Sequence, residues 1–170
     1  HADVKAVFRD LTTFSSEITG KPMRELSPRV KQILDDGGLK AYSGLSMRMP
    51  PDHTRLRSFV SKALTPARTA SLEAPIRARV RQLLDRFRGG RADIVRELTY
   101  DLPALVIFIL LGVPDEDVPR VKRWAQSRAA LTWGNKTTEE RQVELAHDLV
   151  SYWQYCVALV DQRFEEKRDD

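Results

Sequence analysis

The chain has 170 residues, of which 42% are hydrophobic and 31% charged, a composition typical of a soluble globular protein with one core. Its 28 basic and 24 acidic residues leave a net charge of only +4, which argues against a dedicated nucleic-acid-binding block. The single cysteine, Cys156, excludes an internal disulfide and favours a reducing cytoplasm.

The N-terminal part predicts one helix followed by a long polar segment. The helix covers about Ala2 to Asp10, and its apolar residues recur at helical spacing: Val4, Val7, Phe8 and Leu11. The chain begins with His1 and has no signal-peptide core, so we expect it to be an interior piece of a longer protein. Within the polar segment from Ser15 to Met49, the string SPRVKQILDDGG predicts a short helix capped by Ser27 and ended by glycines.

Two further helices are predicted before residue 90. The first covers about Asp52 to Leu64, and the second begins at the N-cap Thr65 with Pro66 in its first turn. The second helix has an apolar face made of Leu72, Ile76, Val80, Leu83, Leu84 and Phe87. The string ADIVREL that follows predicts a short edge strand, the one place where we expect β structure.

Three helices are predicted in the C-terminal part. The apolar run LPALVIFILLGVP is shorter than the roughly 20 residues that cross a bilayer and predicts a buried helix over Leu102–Val113. The next helix begins at Asp115 and runs to Trp133. The last begins with a capping box in TTEE, residues 137–140, and continues to Phe164. The predicted fold class is therefore mainly α, with at most one or two short β-strands.

Two basic side chains lie at one edge of an apolar helical face in the string DHTRLRSFVSKAL. His53 and Arg57 are one turn apart, beside the face formed by Leu56, Phe59, Val60, Ala63 and Leu64. Near a helix N-terminus, where free N–H groups and the helix dipole favour negative charge, such a pair can bind a carboxylate. The alternative is that Arg57 pairs with an acidic residue elsewhere and that His53 only begins the helix.

The string PPDHTRLRSFVSKALTP resembles the C-helix of bacterial cytochrome P450 enzymes, the haem-thiolate monooxygenases. The resemblance implies that His53 and Arg57 bind the haem propionates while the apolar face is turned to the core. Met49 stands where many members of the family have Asp. ADVKAVFRDLTTFSS is similar to the family's B-helix, residues 15–49 to the variable loop after it, ARTASLEAPIRARVRQLLDRF to the D-helix, and YDLPALVIFILLGVPDED to the E-helix.

The resemblance covers the whole chain and implies a single partial domain, the N-terminal part of a haem domain. Residues 115–170 correspond to the F- and G-helices, which form the lid over the substrate pocket in this family. Leu45, Met47 and Leu131 are then expected to contact the substrate. The alternative, that these three are ordinary packing residues of a helical core, is left open by the sequence.

The family's cysteine loop and its oxygen-activating helix with Gly-x-x-Thr are absent from this sequence. Cys156 lies in YWQYCVALV without an adjacent glycine, and we expect it to be a small buried hydrophobic residue. We therefore expect no catalytic and no metal-binding residue in this chain, haem b ligated by a cysteine outside it, and no activity of this span alone.

The resemblance also implies the partners of the whole protein. They are O2, a small organic substrate, and a redox partner that delivers electrons from NAD(P)H, either a ferredoxin with its reductase or a fused reductase domain. The strings LSPRVKQILDDGG and YWQYC favour the self-sufficient, reductase-fused subclass. We expect a cytoplasmic protein that binds neither membrane nor nucleic acid.

The leading alternative is a basic helical module that binds nucleic acid, and a second is a helical scaffold without haem. The phosphate-binding face would consist of Arg77, Arg79, Arg81, Arg86, Arg88 and Arg91. These arginines scatter around the exposed side of one helix, and no helix-turn-helix spacing follows them. Steep loss of DNA affinity with salt would be the positive sign for this alternative.

Overall fold

The computed structural model describes residues 1–19, 21–39, 44–87, 90–134 and 137–166. These ranges contain no strand and the following α-helices: α1 (Ala2–Arg9), α2 (Pro28–Asp36), α3 (Asp52–Ala63), α4 (Pro66–Ser71), α5 (Glu73–Leu84), α6 (Leu102–Leu110), α7 (Val118–Trp133) and α8 (Glu139–Glu165). A 3-10 helix covers Leu45–Met47, and a π-helical segment covers Val95–Thr99. The mainly α fold class is confirmed. Over the same ranges, no helix combines the length and apolar character that spanning a bilayer requires.

Local capping explains where several helices begin. The Ser27 hydroxyl accepts a hydrogen bond from the backbone N–H of Val30 (3.3 Å), and Thr65 caps α4 in the same way. At the start of α8 the capping hydroxyl is that of Thr138, which accepts from the Arg141 N–H (3.3 Å). The capping box predicted over residues 137–140 therefore begins one residue too early.

The helix predicted to continue from Thr65 to the glycines after Phe87 is interrupted at Leu72. Pro75 has no N–H to donate to the carbonyl four residues earlier, and its ring crowds that carbonyl. The proline is accommodated in the first turn of α5, which begins at Glu73. Two shorter helices, α4 and α5, replace the one predicted helix.

The predicted edge strand in ADIVREL is wrong, because its residues form a helical turn. The Asp93 carboxylate accepts from the Arg96 N–H (3.0 Å), and the Glu97 carboxylate accepts from the Asp93 N–H (3.0 Å). This reciprocal pair satisfies backbone donors that a helix start leaves free. The apolar residues Ile94 and Val95 are exposed rather than paired in a sheet.

One compact unit comprises His1–Ala63 and Trp124–Val157. Its hydrophobic core joins α2, α7 and α8 through Val30, Leu131, Leu145 and Ala146. Trp124 of α7 packs on the rings of Tyr152 and Tyr155 of α8, with centroid distances of 6.2 and 5.8 Å. By contrast, α1 buries none of its residues within the described ranges.

The second compact unit comprises Leu64–Arg123 and Ala158–Asp170. Leu83, Phe108 and Val121 are its buried apolar residues. Helix α6 ends at Leu110, earlier than the predicted Val113, because Gly112 adopts a φ of +65° that stops the helix.

Polar contacts join the helices of this second unit. Arg79 pairs with Asp115 (2.5 Å). The Lys122 ammonium pairs with Asp101 and lies 3.8 Å from the ring centroid of Tyr100. The contacts of Lys122 hold the residues before α6 against the first turn and a half of α7.

Candidate functional site

Helix α3 begins with a set of contacts around the predicted anion-binding pair. The Asp52 carboxylate pairs with the Arg48 guanidinium (3.2 Å), and the His53 N–H donates to the Met49 carbonyl (3.0 Å). The 3-10 helix Leu45–Met47 packs against α3. The N-terminal turn that carries His53 is therefore fixed by the segment immediately before it.

His53 is half-buried and Arg57 is exposed. Within the described ranges, neither side chain has a hydrogen bond or an ion pair, so Arg57 forms no salt bridge with an acidic residue there. Four residues of helix separate the two by roughly 6 Å along the axis and 40° around it. Both side chains can therefore reach one carboxylate-bearing group placed along this edge of α3.

This pair fits the acid groups of a haem. A propionate needs donors that carry or tolerate positive charge, and a guanidinium offers two parallel N–H groups to a carboxylate. The imidazole supplies a further donor on the preceding turn. The residues present thus have the chemistry that the predicted cofactor requires.

The apolar face of α3 does not meet the sequence expectation. Leu56 is half-buried, but Phe59, Val60 and Leu64 remain 57%, 43% and 48% exposed. The core of the unit that contains α3 is formed by α2, α7 and α8, and Phe59 and Val60 of α3 do not belong to it. The described residues therefore do not cover this face, and its turning to the core stays a prediction that depends on sequence outside this span.

A cavity of about 300 Å³ lies among α7, α8 and the loop before α3. Its apolar lining includes Met47, Ala125, Ala129 and Trp133. Of the predicted substrate contacts, Met47 lines this cavity and Leu45 is half-buried in the same 3-10 helix. Leu131 is only 7% exposed and belongs to the hydrophobic core, where the packing alternative expects it.

Several polar residues of this cavity carried no sequence prediction. They are Thr19, Ser46, Arg128, Thr132 and Tyr152. Arg128 and Thr132 of α7 recur four residues apart, together with Ala125 and Ala129, so helical spacing was the signal that could have found them. Thr19 and Ser46 lie outside regular α-helix, and no pattern marks them.

Cys156 lines a second, smaller cavity of about 160 Å³ with Leu149, Tyr152 and Trp153. Burial raises the pKa of the Cys156 thiol above its ordinary value, while a hydrogen bond from Tyr152 opposes that change. Arg128 also lines this cavity, and the half-buried position of Cys156 is compatible with the expected role of a small packing residue. Within the described ranges, no cluster of three or more His, Cys, Asp or Glu residues could hold a metal ion.

The arginines of the nucleic-acid alternative are partly engaged within the protein. Arg77 pairs with Glu73 (2.9 Å), and Arg79 pairs with Asp115. Arg88 lies outside the described residues. Acidic partners on the same surface reduce the positive field that phosphate binding requires.

Known proteins similar to this chain are bacterial monooxygenases. The chain is 37% identical over 172 residues to mycinamicin IV hydroxylase/epoxidase of Micromonospora griseorubida, in an alignment that covers 100% of this chain and 39% of that protein. The solved structure of cytochrome P450 CREJ in complex with (4-ethylphenyl) dihydrogen phosphate matches with a TM-score of 0.89 and 42% identity, covering 99% of this chain and 42% of that chain.

An intact type IV self-sufficient cytochrome P450 monooxygenase matches with a TM-score of 0.83 and 30% identity, covering 95% of this chain and 21% of that one. No family-level sequence profile matches. The chain spans about two fifths of the length of the curated relatives it matches. These similarities favour neither the nucleic-acid-binding alternative nor the scaffold.

Proposed function

Because the chain belongs to the cytochrome P450 family and corresponds to the N-terminal part of its fold, we propose that it is part of a haem-dependent monooxygenase acting on a small organic substrate. This span supplies contacts to the haem propionates and helices that cover the substrate site. When bound, haem b supplies the activation of O2 and the transfer of one oxygen atom, with its iron ligated by a cysteine outside this chain. We place the protein in the cytoplasm.

The observation that carries the proposal is the pair His53 and Arg57 on α3. Both are donors on one edge of the helix, and neither is taken up by another side chain in the described ranges. Arg57 holds a propionate by charge-assisted hydrogen bonds, and His53 adds a donor one turn closer to the helix N-terminus. The two side chains thereby fix the orientation of the porphyrin relative to α3.

The remaining residues of the span shape the substrate site. Met47 and Leu45 present apolar surface from the 3-10 helix, while Leu131 supports the same wall from the core behind it. Helices within residues 115–170 act as the lid that excludes water, as the resemblance implies. The cavity volume of about 300 Å³ is at the lower end of the range for small-molecule sites. One solved relative binds (4-ethylphenyl) dihydrogen phosphate, and we propose a substrate of similar size here.

Electrons reach the haem from NAD(P)H through a redox partner. A ferredoxin with its reductase and a fused reductase domain both satisfy this requirement. The match to a self-sufficient monooxygenase supports the fused arrangement. Sequence beyond this span decides between them.

The test uses the full-length protein that carries this chain. After reduction and exposure to carbon monoxide, we expect the Soret shift typical of a thiolate-ligated haem. A protein that binds no haem, or that shows no such shift, would contradict the proposed function.

The residue assignment is tested by haem loss from the full-length protein to excess apomyoglobin. Arg57→Ala removes a charged partner of one propionate, so we expect haem loss at least tenfold faster, with partial rescue in Arg57→Lys. Arg55→Ala is the matched control, because Arg55 is exposed on the opposite side of the same helix. Equal rates for Arg57→Ala and Arg55→Ala would remove Arg57 from the site.

A further inference from the structure

Two cavities of the first compact unit share a wall. The larger cavity, which Met47 lines, has a volume of about 300 Å³, and the smaller cavity, which Cys156 lines, has a volume of about 160 Å³. Arg128 of α7 and Tyr152 of α8 line both of them. Among the described lining residues, these two therefore form the partition between the two spaces.

The two cavities differ in chemistry. Hydroxyl groups of Thr19, Ser46 and Thr132 line the larger cavity. Apart from the partition, the described lining of the smaller cavity consists of aliphatic, aromatic and thiol side chains: Leu39, Leu149, Trp153 and Cys156. The smaller cavity therefore suits a hydrocarbon chain better than a polar group.

The Tyr152 side chain is held from two directions. Its ring packs on the ring of Trp124, at a centroid distance of 6.2 Å, and Trp124 is itself buried. Its hydroxyl donates a hydrogen bond to the thiol of Cys156, one turn further along α8. A tyrosine has only two side-chain torsions, so these two contacts leave its ring little freedom to leave the partition.

We propose that Tyr152 sets the length of the substrates that this protein accepts, because it closes the larger cavity toward the smaller one. The inference rests on the proposed function, since it takes the larger cavity to be part of the substrate site. The substrates are compact molecules with a hydrogen-bond acceptor for the hydroxyl groups of the larger cavity and an apolar body that ends at Tyr152. Tyr152 is a specificity-determining residue and takes no part in the oxygen chemistry.

The cavity volumes give the size of the expected effect. Each methylene that becomes buried raises the affinity about fourfold, whereas a methylene that stays in water adds nothing. In a homologous series, the affinity should rise with chain length until the chain meets Tyr152 and then stop rising, at a point that we call the length limit. A methylene takes roughly the volume of one water molecule in the liquid, about 30 Å³, so the smaller cavity holds about four or five more.

The experiment measures the binding of phenyl alkyl ketones to the full-length protein by isothermal titration calorimetry. The series runs from acetophenone to octanophenone, whose members share one ring and one carbonyl acceptor and differ only in chain length. We expect the parent protein to show a length limit within this series. Tyr152→Ala should move the limit by about four methylenes toward longer chains, whereas Tyr152→Phe, which retains the ring, should leave it in place.

Two further variants assign the effect to the partition, and Arg128 is left unchanged in all of them. Tyr155→Ala is the matched control, because Tyr155 also packs on Trp124 (5.8 Å) but lines neither cavity, and the limit should not move. Cys156→Phe fills the smaller cavity. It should leave the limit of the parent protein unchanged, and it should cancel the shift when it is combined with Tyr152→Ala.

The outcomes separate this inference from the proposed function. A series that does not bind or shows no limit, a limit unmoved in Tyr152→Ala, or a limit shortened in Cys156→Phe overturns the inference, even when the carbon monoxide spectrum confirms a thiolate-ligated haem. An equal shift in Tyr155→Ala overturns it as well. A limit that depends on Tyr152 in a protein that holds no haem supports the inference about the cavities and contradicts the monooxygenase.

The inference stays testable if Tyr152→Ala does not fold. Tyr152→Leu then replaces it, because leucine removes the ring and keeps an apolar side chain in the same place. A limit moved toward longer chains in Tyr152→Leu supports the inference, and an unmoved limit overturns it.

Discussion

Replacing Gly37 with alanine tests how closely α2 approaches α8. Gly37 has a φ of −76°, which any residue can adopt, so backbone strain plays no part in the expected effect. A Cβ at this position would lie 2.6 Å from Val150 Cγ1 and closer still to Val150 Cγ2. Ordinary carbon contacts are about 3.5–4.0 Å, so one of the two helices must move by about 1 Å.

The size of the effect follows from two opposing terms. Val150 is β-branched and lies within α8, where one χ1 rotamer is strongly preferred, so the side chain cannot turn aside. Overpacking of this kind costs about 1–3 kcal/mol. A glycine-to-alanine change also lowers the conformational entropy of the unfolded chain, which raises the free energy of unfolding by about 0.4–1 kcal/mol. We expect the free energy of unfolding to fall by about 1–2 kcal/mol, measured by urea unfolding of the full-length protein.

A double-mutant cycle with Val150→Ala isolates the contact. Val150→Ala removes both methyl groups that the Cβ introduced by Gly37→Ala would meet, so the double variant should be more stable than the sum of the two single changes by about 1 kcal/mol. Strict additivity, or a Gly37→Ala protein as stable as the parent, would show that α2 and α8 are not as close as described.

Two further predictions concern single side chains. Lys122→Met removes the ion pair with Asp101 and the cation–π contact with Tyr100, so we expect the free energy of unfolding to fall by about 1–2 kcal/mol. The control is Lys62→Met, because the Lys62 ammonium lies 5.9 Å from the Phe59 ring centroid. This change should alter the free energy of unfolding by less than about 0.5 kcal/mol. Equal effects of the two changes would contradict the Lys122 assignment. Burial raises the pKa of Cys156, so the folded protein should react with a disulfide reagent only at higher pH than the urea-unfolded chain. Because the pKa is raised in the folded state, the thiol's contribution to the free energy of unfolding is present below the unfolded pKa, about 8.5, and is lost as the pH rises through the folded pKa. Identical pH profiles of the reaction for folded and unfolded protein would refute the raised pKa.

Helix starts were predictable where the determining contacts are local. Ser27 and Thr65 cap the helices that the sequence assigned to them, because a capping hydroxyl and its donor N–H are three residues apart. The strand predicted in ADIVREL failed because short apolar windows do not distinguish strand from helix. The helical turn is instead capped by two side chains, because Asp93 N–H donates to the Glu97 carboxylate and Arg96 N–H donates to the Asp93 carboxylate.

The candidate site was predictable only in its local part. The spacing of His53 and Arg57 and the surrounding string placed both on one edge of α3, and the structure has them there. The exposure of Phe59 and Val60 could not be read from the same string, since periodicity indicates which residues share a face and not what lies against it. Covering a face depends on distant segments of the chain.

On α7, residues one position apart have different surroundings, and the predicted substrate contact Leu131 is an example. Successive helical residues differ by 100°, so adjacent positions belong to different faces. Trp124, Ser127 and Leu131 share the buried face, while Ala125, Arg128 and Thr132, each one residue later, share the face that lines the cavity.

An apolar stripe therefore points to Leu131, and the polar stripe beside it points to Thr132 and Arg128. Hydrophobicity selects the residues that build the core, and the polar residues that line the cavity lie on the adjacent stripe. Leu131 belongs to the core that joins α7 to α8, and Arg128 lies on the adjacent stripe that lines the cavity. Apolar periodicity on this helix therefore identifies the residues of the core and leaves out the polar residues that line the cavity.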